Sequence, residues 1–140
     1  MIVLDTNVVS ELMRVSPSED VVEWVRRHPG DLLCTTAISV AEVRYGIARL
    51  SAGRRQSALR AAADEVFAAF SEVIFAFDEA AARHYGDVVV ERSLAGEPIS
   101  GFDAQIAAIC RVNQVALATR NTDDFAGLGL ELLNPWQRTG

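Results

Sequence analysis

The sequence contains no lysine: all 13 basic residues are arginines. Each side-chain cation it offers is therefore a planar, fork-like donor, suited to phosphates and carboxylates. A basic set of this kind is consistent with a GC-rich bacterial genome. Cysteine is scarce as well. Cys34 and Cys110 stand alone, with no C-x-x-C spacing, so both are expected to be free and buried. There is no Cys/His zinc pattern and no glycine-rich phosphate loop. His84 has no paired ligand nearby and reads as a structural or surface residue. No apolar run approaches the roughly 18 residues of a membrane helix. The first residues show neither a basic n-region nor a cleavage site, so a cytoplasmic chain is expected. Internal repeats and low-complexity tracts are also missing.

Acid outnumbers base. Nineteen acidic residues give a net charge of −6 and a pI near 4.8. This argues against broad electrostatic capture of nucleic acid. It leaves room for a pocket that meets phosphate through a divalent cation. Half of the residues are hydrophobic and 23% are charged, the balance of a soluble globular chain. At 140 residues, one domain over 1–140 is expected, long enough to bury a core.

The chain opens on Ile2-Val3-Leu4, a short apolar run that reads as a strand covered on both faces. It stops at Asp5, at the carboxyl end of that strand, where open α/β sheets place their sites. Asp5 also has a local account as a turn or capping residue. Thr6 and Asn7 are candidate caps for a helix over 8–13. Ser16-Pro17-Ser18-Glu19-Asp20 supplies a cap, a proline for the first helical position and acids for the first turn. The stripe Val21, Val22, Trp24, Val25 follows, then a strand over 32–35. Ser39 and Glu42 fit a capping box at the head of a helix reaching Leu50. Past Ala52-Gly53 a long helix runs from 54 to about 70, and the two make a helical hairpin arm. Its outer faces carry Arg49, Arg54, Arg55 and Arg60, either as a solvated surface or as a flank for a polyanion.

Residues 73–77 make a short strand or a connection. Asp78 caps a helix from 79 to about 94, with a mixed face of Ala82, Tyr85, Val89 and Arg92. A small-residue helix follows, with Asp103 in its first turn and Ser100-x-x-Asp103 as a second box-like pair. Strands over 115–119 and 130–133 flank the polar stretch Arg120-Asn121-Thr122-Asp123-Asp124-Phe125. The resulting order, β-α-α-β-α-α-α-α-β-α-β, predicts an α/β fold with a parallel sheet and helices on both faces.

Four acidic positions recur at element starts or ends: Asp5, Glu42, Asp103 and the pair Asp123-Asp124. Each has a local account as a cap; their shared placement has none. In a parallel sheet the strand carboxyl ends lie along one edge, and the helices that follow begin there. Carboxylates gathered at that edge repel one another unless some are protonated or a cation joins them. Magnesium suits an all-oxygen site with few carboxylates, retained waters and substrate phosphates. Such a site can activate water and stabilise the leaving oxygen of a phosphodiester.

Taken together, Val3-Leu4-Asp5-Thr6-Asn7, Val40-Ala41-Glu42-Val43-Arg44-Tyr45-Gly46, Asp103 on its small-residue helix and Ala118 to Phe125 resemble a known family. The chain is similar to PIN-domain ribonucleases of the VapC type, the toxin halves of type II toxin–antitoxin pairs. The ending Asn134-Pro135-Trp136 resembles the FitB-like subgroup. The resemblance spans essentially the whole sequence and implies a PIN-like α/β/α sandwich: a short, mostly parallel sheet with a protruding helical hairpin. It also implies a magnesium-dependent endoribonuclease, with manganese as a substitute. Asp5, Glu42 and Asp103 match the family's three most regular acids. For the fourth, Asp124 is taken over Asp123 and Asn121, with Asn121 and Thr119 as polar support. Thr6 and Asn7 would orient Asp5 and contact the scissile phosphate or a metal-bound water. Arg44 and Arg120 would either touch RNA or sit in ion pairs. The implied partners are an RNA substrate, a cognate antitoxin docked on the helical arm, and a second copy in a homodimer that assembles into a larger toxin–antitoxin complex.

Two other classes are open to the residues alone. An aspartate-nucleophile phosphatase would place Asp5 after the first strand. The chain lacks the second aspartate two positions on, and has no lysine to neutralise a phosphoryl group. A non-catalytic binding module on the same fold would bind an antitoxin without metal-dependent cleavage.

Overall fold

The computed structural model describes residues 1–70 and 73–138. Five short parallel strands form its centre: β1 (Ile2–Leu4), β2 (Leu33–Thr36), β3 (Ile74–Phe75), β4 (Ala116–Ala118) and β5 (Leu132–Leu133). They line up in the order β3-β2-β1-β4-β5. The chain lays β2 and β3 on one side of β1 and then crosses to place β4 and β5 on the other. The direction reverses between β1 and β4, which makes the carboxyl ends of these two strands the switch point where open α/β sheets hold ligands.

Six helices surround the sheet: α1 (Thr6–Leu12), α2 (Glu19–Arg26), α3 (Ala37–Ala48), α4 (Arg54–Ala69), α5 (Glu79–Leu94) and α6 (Gly101–Asn113). Alternation along the strands divides the core. Val3, Cys34 and Leu117 are register neighbours and pack with buried residues of α5 and α6. Leu4, Leu33 and Ala118 belong to the second cluster, with Val8, Val9, Val21, Trp24, Val43, Ile47 and Ala63 of α1 to α4. Both cysteines are free and buried, as expected. Among the described residues, no helix is long and apolar enough to cross a membrane.

Several local expectations shift. Residues 74 and 75 are strand rather than connection, and the polar stretch after β4 is a 3-10 turn over Thr122–Phe125 rather than a helix. The first helix begins at Thr6, so Asp5 is its cap and Thr6 and Asn7 lie inside it. Ser18 precedes α2 but makes no side-chain cap; its amide donates to the buried Glu11 carboxylate at 2.9 Å. Pro17 therefore stands before the cap, not at the first helical position. On α5 the inward residues are Ala81, Val88 and Arg92, while Ala82 is exposed.

The α3–α4 hairpin is present. Its inner side, Leu59, Val66, Phe67 and Phe70, packs against the second cluster. Gln56 fastens the turn by donating to the Ile47 and Leu50 carbonyls at 3.1 and 3.0 Å. The loop after β4 is anchored twice. Phe125 is 1% exposed in the core, and Arg92 Nη1 donates to the Asp123 and Ala126 carbonyls at 3.2 and 2.9 Å. Phe125→Ala leaves a void with little to collapse into it. Urea unfolding of that variant should show a loss of about 3–5 kcal/mol; a loss under about 1 kcal/mol would mean the loop is held without it.

Candidate active site

At the switch point the register of β1 and β4 continues one residue past Leu4↔Ala118 and sets Asp5 beside Thr119. The Asp5 amide donates to the Ala118 carbonyl at 2.9 Å, and the Thr119 hydroxyl donates to Asp5 Oδ2 at 2.8 Å. The other carboxylate oxygen, Oδ1, accepts the Thr6 amide at 2.8 Å and so caps α1. Asp5 is thus both a helix cap and a groove residue. Asn7 Nδ2 lies 3.4 Å from Asp5 Oδ2 and 3.3 Å from Thr119 Oγ1. The Asn121 amide donates to the same threonine oxygen at 3.1 Å. Two strand ends, 114 residues apart in sequence, therefore hold one carboxylate in a fixed rotamer.

Glu42 reaches the site because its expected role at the helix head is taken by another residue. The cap of α3 is Thr36, whose hydroxyl accepts the Ser39 amide at 3.1 Å. The helix starts earlier than the Ser39–Glu42 box requires, and both side chains are free to turn towards α1. Thr6 Oγ1 donates to Glu42 Oε1 at 2.8 Å and lies 2.9 Å from Ser39 Oγ. The side chain of Thr6 thus orients Glu42, while its amide serves Asp5. On α6 the box-like pair holds in part: the Ser100 hydroxyl accepts the Asp103 amide at 3.3 Å.

Asp5, Glu42 and Asp103 converge on one groove of about 550 Å³, lined also by Thr6, Asn7 and Asn121. Asp124 is exposed on the 3-10 turn and is absent from the lining, although its charge reaches Asp103. Asp123 is exposed as well, and its carbonyl faces Arg92. Burial raises the Asp5 carboxyl to about 6, against the pull of Thr119 and the Thr6 amide; the charges of Asp103 and Glu42 push it further up. Burial also raises Asp103, opposed by the Ser100 hydrogen bond and reinforced by Asp124. Among the described residues none of these acids pairs with an arginine.

A buried carboxylate surrounded by others and lacking a countercharge fits a hard cation with oxygen ligands. No three His, Cys, Asp or Glu side chains among the described residues form a ready-made cage. The donor set suits an ion that keeps several waters, as magnesium does.

Sequence reasoning missed Ser39 as a site residue, along with Ser10, Arg14 and Trp136 on the groove wall. Spacing held part of the signal: positions 7 and 10 share one face of α1, and Arg14 follows just past its end. Arg44 is placed in an ion pair with Asp64 at 2.7 Å, with its guanidinium over Phe67. Arg120 lies over Trp136 at 5.1 Å.

The chain is 37% identical to the VapC ribonuclease Y4jK of Sinorhizobium fredii, over 98% of this chain and 99% of that protein. It is 34% identical to the toxin FitB of Neisseria gonorrhoeae, over 97% and 99% respectively. The crystal structure of FitAcB from Neisseria gonorrhoeae matches with a TM-score of 0.90 at 34% identity, covering 99% of this chain and all of that one. The model for the PIN domain matches residues 2–129, a span that holds the whole sheet up to the glycines before β5 and all four acids, and the protein belongs to the PIN-domain family.

Proposed function

We propose that this chain is the toxin of a type II toxin–antitoxin pair and a magnesium-dependent endoribonuclease that hydrolyses RNA phosphodiesters. The observation that carries the reading is Asp5: buried at the switch point, with Glu42 and Asp103 in the same groove and no ion pair to an arginine among the described residues. Asp5 and Asp103 would be the principal ligands, Glu42 would complete the shell or position the water, and Asp124, outside the groove lining, would join them only by turning in from the 3-10 turn. Manganese would serve as a substitute. When bound, the ion supplies positive charge against the phosphodiester oxygens and lowers the pKa of water. The chain's own groups set the geometry. Thr119 and Asn7 lock the Asp5 carboxylate, Thr6 locks Glu42, and Ser100 fixes the first turn of α6.

The groove continues past Thr6, Ser10, Arg14 and Glu42 into a second hollow of about 260 Å³ bounded by Arg49 and Arg55 of the hairpin. These guanidiniums offer phosphate contacts beside an acidic centre, which suits local steering on a chain of net charge −6. An antitoxin would silence the site by placing an arginine among the unpaired acids. The apolar cleft of Leu12, Val25, Val66, Ala69 and Phe70 supports a docked amphipathic helix. A homodimer joined with the antitoxin into a larger complex belongs to the same reading.

The test is RNA cleavage by the purified chain in magnesium, in manganese and in EDTA. Cleavage is expected with either metal and should fall to background in EDTA. Equal cleavage in all three conditions would overturn the reading. Antitoxin binding without cleavage in any condition would identify a non-catalytic module instead.

A further inference from the structure

The side chains of Arg120 and Trp136 line the groove. Arg120 is exposed and shares that groove with Asp5, Glu42 and Asp103, yet enters no ion pair among the described residues. The groove's other guanidinium, Arg14, is drawn to Glu11 at 3.4 Å. What Arg120 has instead is the indole of Trp136, with its Cζ 5.1 Å from the ring centroid. Trp136 is seated against the α1–α4 apolar cluster. Asn134 pins the turn: its Oδ1 accepts the Trp136 amide at 2.9 Å, and its Nδ2 donates to the Arg120 carbonyl at 3.4 Å. On the other side, the Arg120 amide donates to Asn7 Oδ1 at 3.3 Å, the residue that also touches Asp5. The backbone of Arg120 is thus tied to both the acid centre and the Asn-Pro-Trp turn.

An aromatic face holds a guanidinium through its plane and leaves the N–H edges free. Those edges match the two oxygens of a phosphate. We infer that Arg120, held by Trp136, is a substrate-binding residue that grips a phosphate of the RNA strand next to the one being cut. This rests on the ribonuclease reading above. Trp136 acts through Arg120 as a positioning residue. The arrangement favours a single strand, whose backbone can bend into the groove that the acids and the indole line.

The test uses a fluorescein-labelled, mixed-sequence single-stranded RNA, with cleavage in magnesium followed over a range of sodium chloride. Arg120→Ala should raise KM about 10- to 100-fold, the loss expected for a charge-assisted hydrogen-bonded pair, with a smaller effect on kcat. The slope of log(kcat/KM) against log salt should become shallower by about 0.7, one single-strand phosphate contact. Arg120→Lys should raise KM while keeping the native slope, because it keeps the charge and loses the fork. Trp136→Leu should raise KM, and Trp136→Phe should restore most of it. Arg83→Ala, which removes an exposed charge paired with Glu79, should leave KM and slope native. Arg120→Ala with native KM and slope would overturn the inference while leaving the ribonuclease reading intact. A native chain that cleaves no RNA in metal would overturn both. Equal KM for Trp136→Phe and Trp136→Leu would remove Trp136 from the pair.

Discussion

Asp5→Asn should cleave RNA at least about 10³-fold more slowly than the native chain in saturating magnesium, the several kcal/mol expected of charge stabilisation by a bound ion. The substitution is nearly isosteric. Its oxygen can still accept either the Thr119 hydroxyl or the Thr6 amide, so the strand ends stay joined. What disappears is the negative charge seated at the junction of β1 and β4. Glu42 and Asp103 remain, but Glu42 is held by Thr6 of α1 and Asp103 sits in the Ser100-capped first turn of α6, so neither takes the place of Asp5. Rates should be compared at equal folded fraction, verified by near-ultraviolet circular dichroism. A variant that folds and retains more than about a tenth of native activity would mean that Asp5 lies outside the catalytic centre.

The same substitution should make the metal-free protein more stable at neutral pH, and the size follows from titration. Asp5 is raised from 3.8 to about 6 in the folded chain. A carboxyl whose folded pKa lies above its unfolded value stabilises the fold fully below the unfolded pKa and loses that contribution as pH rises through the folded one. The window therefore runs from about 4 to about 6. Above it the ionised carboxylate, hydrogen-bonded but without a countercharge among the described residues, costs about 3 kcal/mol relative to its protonated form. Asp103 is raised by the same kind of burial and acts in the same direction. In EDTA, the native chain should gain roughly 1 kcal/mol of the Asp5 contribution between pH 7 and pH 5, and Asp5→Asn should lack that gain. At pH 7, magnesium should raise the native Tm, with a smaller rise at pH 5 and little rise in Asp5→Asn. Thermal melts in EDTA and in magnesium at the two pH values would decide. A native Tm that is equally insensitive to pH and to metal would show that burial does not raise the Asp5 carboxyl and that the groove holds no ion.

These two results are opposite faces of one arrangement. A carboxylate held for an ion is a local cost to the empty fold, and removing its charge relieves the cost while removing the chemistry. Stability and activity trade against each other at such sites. The cost is tolerated because the surrounding core is dense: Val3, Leu4, Leu117 and Ala118, the residues that lead into the site, are each 0% exposed.

The family's function enters at a different level from its fold. The fold places the strand ends; the acids at those ends decide what can bind there. The hollow lined by Arg49 and Arg55 shares Thr6 and Glu42 with the acid groove, and the Arg120–Trp136 pair lines that groove. On the proposed reading, an RNA strand in the groove would meet these guanidiniums beside the acids, which would reconcile an acidic chain with a polyanionic substrate.

Much of this was legible along the chain. Short apolar runs ending in polar residues marked β1, β2 and β4, because burial on both faces leaves few other residue types. Helix caps at Asp78 and Ser100 could be read from position alone, since a cap and its amide partner lie within one turn. The candidate acids stood out for the same reason, since each reads from the sequence as standing where an element starts or stops, although Glu42 lies in the second turn of α3. Tertiary structure decided the rest. Strand order β3-β2-β1-β4-β5 brought Thr119 to Asp5, and no spacing between them encodes that hydrogen bond. Thr36, not Ser39, capped α3, because its extended backbone at the end of β2 put its hydroxyl at the helix start, and this released Glu42 to Thr6. Arg120 and Trp136 met only through a turn pinned by Asn134. Local preferences act over a few residues and survive in a linear reading. Partners across the sheet are chosen by which crossovers bury the most apolar surface, and that choice belongs to the folded chain as a whole.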